Sequence, residues 1–193
     1  MSKTRLKLTY NSPVILTFAA ICLVTVIVDY ITGGASNRLL FVCYGQPNYL
    51  DPLTYFRMFS YAFGHANFAH FAGNMTLFLL VGPIVEEHYG SWNTAIMMGA
   101  TAIAGGLLNM FFFDTGLIGA SGLVFLLIIL SAFTSMKKGE IPLTLILIAV
   151  LYLGQEIYSG IFVTDNISHF GHLCGGVSGI AFGAVYHQRK FER

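Results

Sequence analysis

Residues 119–136 read GASGLVFLLIILSAFTSM, an apolar run that opens on a serine between small residues. The charge-free stretch extends from Thr115 to Met136. About 20 such residues span the hydrocarbon core of a bilayer as a helix, because a helix pairs its backbone polar groups internally. The stretch therefore predicts a membrane-spanning helix at about 120–136, with Ser121 close to one end.

The rest of the chain has the same character. Of its 193 residues, 55% are hydrophobic and only 10% are charged, whereas soluble domains carry about 25% charged residues. The charges fall between apolar runs, which predicts an all-α membrane protein with a single domain over residues 1–193 and a core at about 10–188. The predicted spanning helices are at about 13–32, 67–86, 91–112, 120–136, 141–160 and 167–187.

Composition also excludes several classes of protein. The formal net charge of +1 gives no basic surface for nucleic acid. The three cysteines, Cys22, Cys43 and Cys174, are scattered and provide neither a disulfide framework nor metal-ligand spacing. No internal repeat supports a transporter.

Residues 33–66 connect the first two predicted helices and are unusually apolar for a loop. They include LLFV at 39–42 and YFRMF at 55–59. Such segments do not suit a solvated linker, so we expect this loop to fold back into the membrane.

The basic residues predict the orientation, because Lys and Arg accumulate at cytoplasmic ends of spanning helices. With the N-terminus inside, only Arg38 and Arg57 lie outside. We therefore expect a multi-pass protein of the cell membrane with both termini in the cytoplasm. The basic residues then inside are Lys3, Arg5, Lys7, Lys137, Lys138, Arg189, Lys190 and Arg193.

Polar side chains within spans are costly and point to function. In this topology the second, fourth and sixth helices enter from outside, and each carries polar residues near its start. These residues converge at one depth, and they are His65, His70, Asn74, Ser121, His169 and His172.

This set has the parts for nucleophilic catalysis. A serine becomes a strong nucleophile when a neutral imidazole takes its proton, and His172 is our choice for that base. Unpaired N–H groups at the start of the Ser121 helix would stabilise an oxyanion. His70 and Asn74, four residues apart on one helix face, add further donors. A lone serine in such a helix usually forms a hydrogen bond with its own backbone. The presence of a serine, an imidazole and further donors at one depth favours catalysis.

With these motifs the chain resembles the rhomboid intramembrane serine proteases over about residues 10–188. Gly119-Ala120-Ser121-Gly122 matches the family's G-x-S-G motif. The second helix matches its H-x4-H-x3-N pattern through His65, His70 and Asn74. The sixth matches H-x2-G-x3-G through His172, Gly175 and Gly179.

The resemblance implies a Ser121–His172 dyad that needs neither cofactor nor metal. Ser121 attacks the peptide carbonyl, while His70, Asn74 and the Ser121 N–H form the oxyanion hole. The implied partners are a transmembrane protein substrate and the lipid bilayer, and the fifth helix with residues 161–167 is the implied substrate gate. The implied supporting residues are His65, Gly119, Gly122, Phe125 and Gly175.

The chain departs from the family pattern at two aromatic positions. Phe56 precedes Arg57 where many bacterial members have Trp, and Phe125 stands where many have Tyr. Phe125 is one helical turn below Ser121, so it can pack beneath the His172 ring, but it lacks the hydroxyl. Neither change removes a catalytic group.

Three alternatives remain open from the residues. A catalytically silent rhomboid-like binding protein would keep the scaffold, although such proteins lose the Ser or His that this chain retains. A membrane metalloprotein would use the histidines, but there is no H-E-x-x-H motif and no acidic residue in the cluster. His169 competes with His172 as base, and the spacing to Gly175 favours His172.

Overall fold

A computed structural model describes residues 7–162 and 169–191 of the chain, and it is mostly helical. Two short strands, β1 (Cys43–Tyr44) and β2 (Gly116–Leu117), pair in antiparallel register. The α-helices are α1 (Pro13–Ile31), α2 (Pro52–Ser60), α3 (Phe68–Tyr89), α4 (Ser91–Phe112), α5 (Ser121–Phe133), α6 (Leu143–Phe162) and α7 (His169–Phe191).

The six long helices predicted from the apolar runs are present as α1 and α3–α7. Among the described residues, three helices are long and apolar enough to cross a membrane, namely α1, α3 and α4. The central helix α5 has 13 residues and ends at Phe133, three residues before the predicted end. At 1.5 Å per residue it is about 20 Å long, which is shorter than the hydrocarbon core of about 30 Å.

Helix α5 occupies the centre of the bundle. Four of its residues, Leu126, Leu127, Ile129 and Leu130, have no exposed surface, as expected of a helix that is apolar all round. On α7, the glycines that recur every fourth residue face α5. A Cβ at Gly179 would lie 2.7 Å from the Cβ of Ile129, so the two helices pack at backbone distance.

The long first loop is folded against α4 instead of being extended. It contains a π-helical turn (Asn37–Phe41), α2 and a 3₁₀ turn (Tyr61–Phe63). The strand pair β1–β2 ties it to the segment before α5. An all-α prediction misses these strands because two residues are too few to show an alternating pattern.

Arg57 holds the loop together. Its Nε donates to the carbonyl of Leu39 at 2.7 Å, and its Nη1 pairs with Asp51 Oδ2 at 3.1 Å. The guanidinium also lies 5.6 Å from the ring centroid of Tyr44. One cation therefore joins three separate parts of the loop.

The buried carboxylate of Glu86 caps α1 from a distance of more than 70 residues along the chain. Its oxygens accept from the backbone N–H groups of Val14 and Ile15, each at 3.0 Å, and from Ser91 Oγ at 2.7 Å. Ser12, at the N-cap position, makes no side-chain capping bond. Glu86 thus supplies the negative charge that a helix N-terminus favours.

Glu86→Gln should destabilise the protein by about 2 kcal/mol, because hydrogen bonds to a charged group contribute about 1.5–3 kcal/mol. Thermal unfolding in detergent measures the change, and Glu87→Gln, at the exposed neighbouring position, is the matched control. Equal melting temperatures for the two variants would show that the cap contributes nothing.

Candidate active site

The N-termini of α3, α5 and α7 meet at one end of the bundle. A Cβ at Gly119, just before α5, would lie 2.6 Å from Cε1 of His70 on α3. A Cβ at Gly122 would lie 2.9 Å from the carbonyl oxygen of Gly171 on α7. Ser121 lies between these two glycines in sequence, so it stands where the three helices come together.

His172 is held against α5 by an aromatic ring. Its imidazole stacks on Phe125, with ring centroids 4.6 Å apart and planes 9° from parallel. Phe125 follows Ser121 by one helical turn. Gly175, one turn after His172, abuts the carbonyl oxygen of Gly122, so α7 packs closely against the start of α5.

His169 has a different setting. Its ring centroid lies 6.4 Å from that of His172, and the two ring planes are nearly perpendicular at 89°. His172 has the parallel stacking with Phe125, which places its imidazole against α5.

The start of α5 offers unpaired backbone donors. Ala120 is its N-cap, and no side chain caps the helix, so the first N–H groups have no partner within the helix. The preceding Gly119 has φ of +124° and donates its N–H to the carbonyl of Tyr61 at 3.0 Å. Any side chain at Gly119 would be strained and would collide with His70.

Asn74 brings a buried amide to the same end of α3 as His70, one turn further along. Its side chain is 9% exposed, and its Nδ2 has no hydrogen-bond partner among the described residues. Buried donors without partners are rare and call for an explanation. A developing negative charge on a bound substrate would provide the missing acceptor.

His65 lies behind His70 instead of beside Ser121. Its ring is 2% exposed and packs edge-on against His70, with centroids 5.2 Å apart. Burial, with the nearby His70, lowers the pKa of His65 to about 4, so its imidazole is neutral near pH 7. The carbonyl of His65 accepts from Asn37 Nδ2 at 2.8 Å.

The sequence did not predict two residues that support the site, Tyr61 and Asn37. Tyr61 holds the Gly119 turn because its backbone carbonyl accepts from the Gly119 N–H. Asn37 holds the His65 backbone because its side-chain Nδ2 donates to the His65 carbonyl. Both act through long-range hydrogen bonds, which leave no local pattern in the sequence. The only signal was an Asn two residues before the apolar run at 39–42. In the predicted gate segment at 161–167, residues 163–167 lie outside the described residues.

No three His, Cys, Asp or Glu side chains in the described part of the chain are grouped so as to hold a metal ion. The groups at this site are imidazoles, a serine hydroxyl and an amide.

The chain is similar to known proteins that all carry the name rhomboid. Residues 52–189 match the model of the Rhomboid domain. The chain is 32% identical to Rhomboid-related protein 1 of Caenorhabditis elegans over 140 residues, which are 67% of this chain and 39% of that protein. It is 28% identical to Rhomboid protease GluP of Bacillus subtilis over 162 residues, 80% of this chain and 31% of GluP.

Rhomboid-related protein 2 of Mus musculus is 29% identical over 155 residues, which are 69% of this chain and 51% of the mouse protein. The chain thus spans between about a third and a half of the length of these relatives. The domain match itself covers well over half of the chain. The chain belongs to the rhomboid family.

Proposed function

We propose that the chain is an intramembrane serine endopeptidase that cleaves transmembrane helices of other membrane proteins through Ser121 and His172. The observation that carries the proposal is the seating of His172 on Phe125, one turn below Ser121, at an interface where Gly175 abuts Gly122. The GluP relative is a rhomboid protease by name, which supports the same activity here.

In the proposed mechanism, Ser121 Oγ attacks the peptide carbonyl carbon while His172 takes the hydroxyl proton. The carbonyl oxygen becomes an oxyanion that the Ser121 N–H, Asn74 and His70 stabilise. The C–N bond then breaks, and the amine leaves with the proton from His172. Water hydrolyses the acyl-enzyme with His172 again as base.

The length of α5 supports a membrane-embedded substrate. A helix of about 20 Å that ends at one membrane surface begins within the hydrocarbon core of about 30 Å. Ser121 would then meet the segment of a substrate that lies inside the bilayer. The substrate must unwind locally, because a helical carbonyl is already hydrogen-bonded and shielded.

The proposal includes a single rhomboid domain of six spanning helices, with α6 and the segment after it as the gate. It also places both termini in the cytoplasm of a cell-membrane protein, so that Ser121 lies nearer the outer surface. Reporter fusions after Met136 and after Arg193 should read cytoplasmic, and a fusion after Asp114 should read external. An external reading after Arg193 would reverse the orientation.

The oxyanion donors should matter less than the dyad. Asn74→Ala and His70→Ala should each lower kcat by up to about 10²–10³-fold, the effect of one lost donor in a soluble serine protease. Both variants should still react with a serine-directed covalent probe. Thr76→Ala, two residues after Asn74 with its hydroxyl on the Ala72 carbonyl, is the control. Wild-type turnover in folded Asn74→Ala would remove Asn74 from the site.

The proposed function is tested by reconstituting the purified protein in liposomes with a single-span substrate that has small residues in its membrane segment. We expect two products whose masses locate the cut within or near the bilayer. Retention of the substrate without cleavage would instead support the silent binding protein.

A further inference from the structure

A cavity of about 690 Å³ lies between the last turn of α1 and the start of α3. Its lining includes the apolar side chains Val26, Ile27 and Phe68 and the polar side chains Asp29 and His65. Asp29 is in the last turn of a helix long enough to cross a membrane. With α1 spanning, its carboxylate would lie at headgroup depth, and Val26 would lie deeper along the helix.

Asp29 provides the negative charge of this cavity. Its Oδ1 accepts both from Ser36 Oγ at 3.0 Å and from the Asn37 N–H at 2.9 Å. No described residue donates to its other oxygen. A carboxylate oxygen near the end of a spanning helix is favourably placed for a cationic partner.

Arg38 provides a positive charge next to two glycines of the cavity lining, Gly33 and Gly34. The turn through Gly33 and Gly34, with φ of +59° and +83°, folds the chain back so that Arg38 Nη2 lies 3.5 Å from the carbonyl of Gly33. Both glycines line the cavity. Arg38 forms no ion pair with any residue that the structure describes.

His65 forms part of the inner wall and is 2% exposed. Neither of its ring nitrogens has a hydrogen-bond partner within residues 7–162 and 169–191. Buried polar groups without a hydrogen-bond partner are rare, so this part of the cavity lining is polar.

We propose that this cavity binds a phospholipid with an ethanolamine headgroup. The primary ammonium donates to Asp29 Oδ2 beside the ring of Tyr30, the phosphate pairs with Arg38, and one acyl chain lies along Val26 and Ile27. A simple anion would pair only with Arg38, and a simple cation would pair only with Asp29. A choline headgroup has no N–H to donate to the carboxylate.

Native mass spectrometry of the delipidated full chain, titrated with dioleoyl phosphatidylethanolamine, tests the proposal. We expect one tightly retained lipid, with about tenfold weaker binding for Asp29→Asn and for Arg38→Gln, since a hydrogen bond to a charged group is worth that factor or more. Asp29→Asn keeps an oxygen for Ser36 and Asn37. Dioleoyl phosphatidylcholine and phosphatidylglycerol should bind the wild type about tenfold more weakly.

Glu87→Gln and Arg189→Gln are matched controls, because they remove one acidic and one basic exposed side chain at the opposite end of the bundle. Both should bind ethanolamine lipid as the wild type does. Equal binding of the choline lipid, or undiminished binding by Asp29→Asn and Arg38→Gln variants with wild-type melting temperatures, would overturn the proposal. If Asp29→Asn lowers the melting temperature, Arg38→Gln, at an exposed position, decides the outcome.

Discussion

Ser121→Ala and His172→Ala should each lower the rate of substrate cleavage by about 10⁴-fold or more, while the protein stays folded in detergent. The first removes the attacking oxygen, and the second removes the group that takes its proton. Because the two act as a unit, the double variant should be little worse than either single one. Cleavage of a single-span substrate in liposomes measures all three rates.

Two control variants test the assignment of these roles. Ser131→Ala removes another α5 hydroxyl, one that bonds the Ile128 carbonyl, and it should leave cleavage close to wild type. His169→Ala should keep substantial activity. An inactive His169→Ala variant together with an active His172→Ala variant would make His169 the base.

Gly175→Ala should have the second-largest effect. The added Cβ would collide with the carbonyl oxygen of Gly122, so α7 must move away from the start of α5. Overpacking of this kind costs about 1–3 kcal/mol or more. The displacement would also move His172 away from Ser121. The cleavage rate should therefore fall by more than the loss of folded protein explains.

Gly99→Ala is the matched control, because a Cβ at that α4 glycine would meet nothing within 4 Å. It should be as stable as the wild type or slightly more stable, since alanine favours helices by up to about 1 kcal/mol. The measurements are thermal unfolding and cleavage on the same preparations. A Gly175→Ala variant as active as Gly99→Ala would mean that the α5–α7 contact does not position His172.

The helices were predictable because a long apolar run can span a membrane only as a helix or as part of a closed barrel. The residues at which the helices end were harder to predict. Helix α3 continues to Tyr89, beyond the predicted end at 86, because Gly90, with φ of +80°, is its terminator, and because Glu86 is buried against α1 instead of marking a solvated end.

The candidate site was predictable to the extent that its groups lie in short motifs at helix starts. Spacing put His70 and Asn74 on one face of α3 and Phe125 one turn after Ser121. Spacing does not reveal which loop residues support these groups. The contacts from Tyr61 to Gly119 and from Asn37 to His65 join distant parts of the chain, and only the fold brings them together.

The central claim is that Ser121 is a nucleophile activated by His172, and covalent labelling tests it without any assumption about the substrate. The wild-type protein in detergent would be treated with a fluorophosphonate probe and the modified peptide identified by mass spectrometry. We predict a single label on Ser121, absent from Ser121→Ala and strongly reduced in His172→Ala. Labelling that persists in Ser121→Ala, or a wild-type protein that takes no label while folded, would contradict the account.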